Sequence, residues 1–99
     1  MLKTKMIEIR NVNIPDKVSK VNAGKYEAMK RILIKILPKN PPGITQSEMG
    51  IAVLSHLPQD IWPEGEKSMW WVKTVQLDLE AKGLIIRNRN SKPARWYRR

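Results

Sequence analysis

Val72-Lys73-Thr74-Val75-Gln76-Leu77-Asp78-Leu79-Glu80-Ala81-Lys82-Gly83-Leu84-Ile85 is the stretch whose reading decides the fold. At about 100° per residue, Val72, Val75 and Leu79 share one helical face, with Ser68 and Trp71 on its edges. Trp70, Thr74, Leu77 and Ala81 line the opposite side. A helix is expected from about Glu66 or Lys67 to Lys82, and Gly83 supplies its left-handed stop. Beyond it, branched and aromatic residues in Leu84-Ile85-Ile86-Arg87 and Arg95-Trp96-Tyr97-Arg98 flank the turn-rich Asn88-Arg89-Asn90-Ser91-Lys92-Pro93. That pattern reads as a β-hairpin.

Upstream, Ile44-Thr45-Gln46-Ser47-Glu48-Met49 is a strong helix start. Thr45 is the N-cap, Glu48 can reach back to its N–H, and Ile44 and Met49 occupy the two staple positions. This helix is expected to end near Ser55 or His56, and Leu57–Gly65 is a loop marked by Pro58, Pro63 and Gly65. Before it, Asn22 can cap a helix over about Ala23–Leu37, with Tyr26, Met29, Ile32, Leu33, Ile36 and Leu37 on one stripe and Ile34 off it. Pro38 and Pro41-Pro42-Gly43 stop that helix. Residues 1–21 form an arm with two short alternations out of phase, Ile7/Ile9 and Val12/Ile14. The slip at Arg10-Asn11 implies a bulge, a bend or two separate pieces, and Pro15-Asp16 reads as a turn. The arm is either an edge strand or mobile.

Ninety-nine residues suit one small domain. With no cysteine, disulfides, thiolate metal sites and cysteine nucleophiles are excluded. No apolar run approaches the ~20 residues of a bilayer span, and no apolar segment follows the charged Met1–Lys5 start as a secretory signal requires. The expectation is a cytoplasmic protein without a membrane partner.

Charge is the strongest compositional signal. Nineteen basic against nine acidic residues give a net +10, which favours a polyanionic partner. The distribution is two-sided. Asn40–Glu66 holds no Lys or Arg, whereas Lys82–Arg99 holds seven basic residues and no acid.

Helix, short extended link, capped helix, helix and hairpin is the order of a winged helix-turn-helix. Gly43-Ile44-Thr45-Gln46-Ser47-Glu48-Met49 looks like the start of that family's second helix. Val72 through Ile85 is similar to a recognition helix entering the first wing strand, as in MarR- and ArsR-type regulators, and Arg87 through Arg98 looks like a wing. The resemblance covers about residues 22–99. It implies a mainly α domain with a small β-hairpin (α+β): three helices and a C-terminal wing. The chain also resembles a small group of uncharacterised bacterial proteins centred on Trp70-Trp71-Val72-Lys73-Thr74-Val75-Gln76-Leu77-Asp78-Leu79-Glu80. Two departures stand out. The Leu57–Gly65 connection is long for a compact helix-turn-helix, and Asp78 falls where it would repel phosphate.

The expected function is therefore binding of double-stranded DNA, as in a transcriptional regulator. Lys73 and Thr74 would read the major groove, with Lys67 beside them. Arg87, Arg89, Lys92, Arg95 and Arg98 of the wing would meet phosphates or the minor groove. The competing reading is a dimerisation or partner-binding module using Ile34, Trp70 and Leu77. Trp70 and Trp71 also suit stacking on single-stranded bases, but partner contact is the favoured reading of an exposed Trp70 beside Leu77. An enzyme is not expected: Ser55-His56 form no dyad, His56 and Asp60 straddle Pro58, and the five glycines are scattered. No metal or cofactor is implied.

Overall fold

The structure, a computed structural model, describes residues 5–99. The chain opens with an antiparallel hairpin of β1 (Met6–Asn11) and β2 (Ile14–Asn22). It reverses at Val12-Asn13, where the Asn13 N–H donates to Asn11 Oδ1 at 2.8 Å. The phase slip in the sequence is a register shift. Arg10 pairs with Val18 and Asn11 with Ile14, leaving Pro15, Asp16 and Lys17 without partners. Pro15-Asp16 thus marks a bulge, not the expected reversal, because an unpaired excursion needs no N–H from proline. The arm is a packed hairpin: Ile9 and Val21 join the core, and the Ala23 N–H donates to the Lys5 carbonyl at 2.9 Å. The part of the arm before Lys5 lies outside the described residues.

Helix α1 (Ala23–Ile36) is capped by Asn22, whose side chain accepts from the Lys25 N–H. It ends at Ile36 because Leu37, preceding Pro38, is extended. Its stripe buries Tyr26, Met29, Ile32 and Leu33. A two-residue strand, β3 (Ile44–Thr45), leads into α2 (Gln46–Leu54), where Thr45 and Glu48 form the complete capping box. The loop after α2 contains a single 3-10 turn at Pro63–Gly65. Helix α3 (Ser68–Ala81) follows, and then the hairpin of β4 (Ile85–Asn88) and β5 (Arg95–Arg98). At the end of α3 the Leu84 N–H returns to the Leu79 carbonyl around Gly83, which takes φ +76°.

The second sheet has the order β3-β5-β4, all antiparallel. Gly43 permits the close approach of β3. Its φ is +83°, and a Cβ there would lie 2.3 Å from the Trp96 carbonyl oxygen. Met29, Leu33, Met49, Val53, Val72, Val75 and Leu79 bring the three helices together in a core sealed from water. Trp62 meets Trp71 edge-on at 6.1 Å and covers one end of it. The described residues thus form an α+β domain of three helices and two small antiparallel sheets, one sheet more than the mainly α expectation held. No described helix is long and apolar enough to cross a membrane.

Candidate nucleic-acid interface

Helix α3 has three kinds of surface besides its core face. On one flank the N-terminal hairpin covers it. Asp78, read from the sequence as a solvent-facing acid, is completely buried there. Its Oδ1 accepts the Arg10 backbone N–H at 2.8 Å, its Oδ2 accepts the Tyr26 hydroxyl, and Lys82 Nζ lies 2.8 Å from Oδ2. Burial first, and then the Asp78 carboxylate, push the Tyr26 phenol well above its ordinary range. Asp78 therefore presents no negative charge to a ligand. Leu77, assigned to a free outer face, is only 8% exposed. The sequence missed both burials because they depend on a hairpin distant in the chain.

On the other flank α3 meets the β4–β5 hairpin through Glu80. Its Oε1 accepts from Trp96 Nε1 at 2.9 Å and from Gln76 Nε2 at 3.1 Å. Arg87 Nη2 donates to the same oxygen at 3.4 Å, and Arg87 Nε stands 3.2 Å from Oε2 as an ion pair. The Arg87 guanidinium also lies over the Trp96 ring at 5.1 Å. Arg95 is engaged as well, with Nη1 3.2 Å from Glu48 Oε1 and donating to the Gly43 carbonyl. Arg98 donates to the Leu37 carbonyl at 3.3 Å. Three of the eight residues expected to contact DNA, Arg87, Arg95 and Arg98, thus hold the β4–β5 hairpin to the helices.

Between the flanks, α3 leaves Met69, Trp70 and Lys73 exposed, with Lys67 exposed just before its start. Thr74 is half-buried toward the hairpin. In the loop between β4 and β5 Arg89 and Lys92 are exposed, and among the described residues neither enters an ion pair; the same holds for Lys67 and Lys73. Asn88 fixes the base of this loop by donating from its side chain to the Pro42 carbonyl at 3.1 Å. Ile34 packs half-buried against the core. Trp70 is 56% exposed and stands edge-on to Trp71 at 5.2 Å.

Three cations were outside the expected set: Arg10, Lys17 and Lys20 of the hairpin, which border a cleft against Trp70. Their signal was the basic character of the arm, but its placement on α3 could not be read locally. The Glu48 carboxyl is held below its usual range, first by the Thr45 backbone N–H, with the Thr45 hydroxyl and Arg95 adding to this. His56 is exposed after α2. Among the described residues no cluster of three or more His, Cys, Asp or Glu could hold a metal ion.

No curated protein and no solved structure matches the chain. A family model matches residues 6–96, a span that takes in the N-terminal hairpin, the three described helices and most of the β4–β5 hairpin. The chain therefore belongs to DUF6958, a family of unknown function.

Proposed function

We propose that the protein is a winged helix that binds double-stranded DNA, led by its wing and not by the full face of α3. The order β3-β5-β4, with a short strand before α2 paired to the outgoing wing strand, supports the winged-helix reading. One observation carries the DNA reading. Glu48, Asp78 and Glu80 each pair with a cation of the protein, while Arg89 and Lys92 at the wing tip and Lys67 and Lys73 along α3 stay exposed and, among the described residues, unmatched. Unmatched cations on a projecting loop suit phosphate neutralisation, which is sequence-independent and weakened by salt. Lys73 is the one expected base reader whose side chain is exposed, since Thr74 turns toward the hairpin. A regulatory role would follow from this binding. Titration of the chain against random-sequence duplex at several salt concentrations tests the reading: affinity should fall steeply with salt, and an affinity that is millimolar or weaker at low salt overturns it.

A second reading, a partner-binding module, is favoured by Ile51 and Leu54 on α2 and Met69 on α3, all exposed. The Asn40–Glu66 segment that includes α2 carries no cation with which to approach a duplex. Leu77 no longer contributes to such a surface. Light scattering on the sample used for the DNA titration separates the two readings.

A further inference from the structure

The hairpin that covers one flank of α3 leaves a cleft of about 320 Å³ between itself and the helix. Its apolar walls come from Ile9, Val21, Leu77 and Trp70, and its polar lining includes Ser19, Asn11 and Thr74. Arg10, Lys17 and Lys20 also border it; of these, Arg10 and Lys20 alternate with Ile9, Ser19 and Val21 onto the outer face of the hairpin, where Lys20 stands across from Glu8, so Lys17 is the cation of the cleft itself. None of these three cations enters an ion pair among the described residues. Lys17 owes its position to the bulge. It is one of three β2 residues without a partner across the ladder, and a bulge re-aims the side chains it carries.

Trp70 is the second unusual element. It is more than half exposed and is held edge-on by Trp71. An aromatic platform beside a cation in an open groove has the chemistry of a nucleotide subsite: a flat ring stacks while the phosphate is neutralised beside it. A base paired inside a duplex has its faces stacked on its neighbours and cannot reach such a platform, whereas an unpaired base can.

We propose that the hairpin–α3 cleft binds single-stranded nucleic acid, with one base stacked on Trp70 and an adjoining phosphate on Lys17. This site shares no residue with the wing surface and does not depend on the duplex reading. A strand crossing the cleft meets Lys17, whereas a duplex on the wing meets Arg89 and Lys92.

The test uses the full chain and three probes: an oligo-dT of about twelve residues, dTMP, and a duplex. Oligo-dT should quench tryptophan fluorescence on binding, because Trp70 is the most exposed of the four tryptophans. Trp70→Ala should weaken oligo-dT binding about tenfold, the scale of one lost stacking contact, and Trp70→Phe should retain most of it. Lys17→Gln should weaken it further and lower the salt slope by about 0.7, the value for one phosphate contact. Lys17 is exposed, so the variant keeps its fold and remains informative if Trp70→Ala does not. Arg89→Ala with Lys92→Ala should leave oligo-dT binding intact. Unchanged oligo-dT affinity in both the Trp70→Ala and the Lys17→Gln variants overturns the proposal, and so does equal affinity for dTMP and oligo-dT, which would make the cleft a pocket for free nucleotide. Oligo-dT binding that is lost with the wing variant instead also overturns it.

Discussion

Tyr26 on α1 donates its phenolic hydrogen bond to the carboxylate of Asp78 on α3, and both side chains are closed off from water. The same carboxylate accepts from the backbone of β1, so one acid joins two helices and the N-terminal hairpin. A buried charge is tolerated only when its lone pairs are used. Here a phenol, an amide and the Lys82 ammonium use them.

Removing one member of this junction should be felt throughout the fold. Tyr26→Phe is expected to cost about 1.5–3 kcal/mol, the range for a hydrogen bond to a charged group. Asp78→Ala should cost more, about 3 kcal/mol or above, because the hydroxyl and the Arg10 amide both lose their partner. Urea unfolding of the three proteins checks the order. The phenol also predicts an alkaline limit. Its folded pKa lies above the ordinary value of 10.0, so the stability it lends is complete below pH 10.0 and is lost as pH rises through the higher folded value. Wild-type stability should therefore fall with pH above 10.0, and Tyr26→Phe should flatten that fall.

The wing arginines divide into two groups that mutation can separate. Arg87→Ala should destabilise the fold by about 1.5–3 kcal/mol, since Arg87 binds the buried Glu80 carboxylate and lies on Trp96. Arg89→Ala with Lys92→Ala should change stability by less than about 0.5 kcal/mol, as exposed unpaired residues do. On duplex DNA the same double variant should lower the salt slope by about 1.8, near 0.9 per phosphate. Thermal melts beside binding isotherms provide both readings.

Gly43→Ala should loosen the second sheet. A methyl group there meets the Trp96 backbone, which cannot swing aside as a side chain could, and φ is already +83°. A loss of more than about 1 kcal/mol is expected, with faster amide exchange at Ile44 and Trp96, the paired residues.

At the start of α2, Thr45→Ala should cost about 1 kcal/mol by removing the cap. Glu48 has a lowered folded pKa, so its contribution is present above the ordinary carboxylate value of 4.5 and fades as pH falls below it. Unfolding followed from neutral to acid pH should show Glu48→Gln, which removes the titrating carboxyl, losing less stability than the wild type over that window.

Local signals were legible in the sequence where one segment determines its own structure. The Asn22 cap, the Thr45–Glu48 box and the Gly83 stop depend on residues within a few positions, and each is present. The core stripe of α3, Val72, Val75 and Leu79, follows from helical spacing and is fully buried. What failed required knowing what lies across a helix. Leu77 and Asp78 occupy the side of α3 away from its apolar stripe, and only the hairpin from residues 6–22 explains why they are dry. Arg87 and Arg95 stand among wing cations that look interchangeable in sequence, yet Glu80 and Glu48 hold these two in place and leave Arg89 and Lys92 exposed.

The hairpin's seat on α3 also fixes where the smallest cooperative unit begins. A chain trimmed to start at Ala23 would retain every helix and the wing, yet it would unroof Leu77 and strip Asp78 of its amide partner. Such a fragment would carry a greasy, half-solvated seam where the parent has an interior, and clumping, not a tidy monomer, is its natural fate.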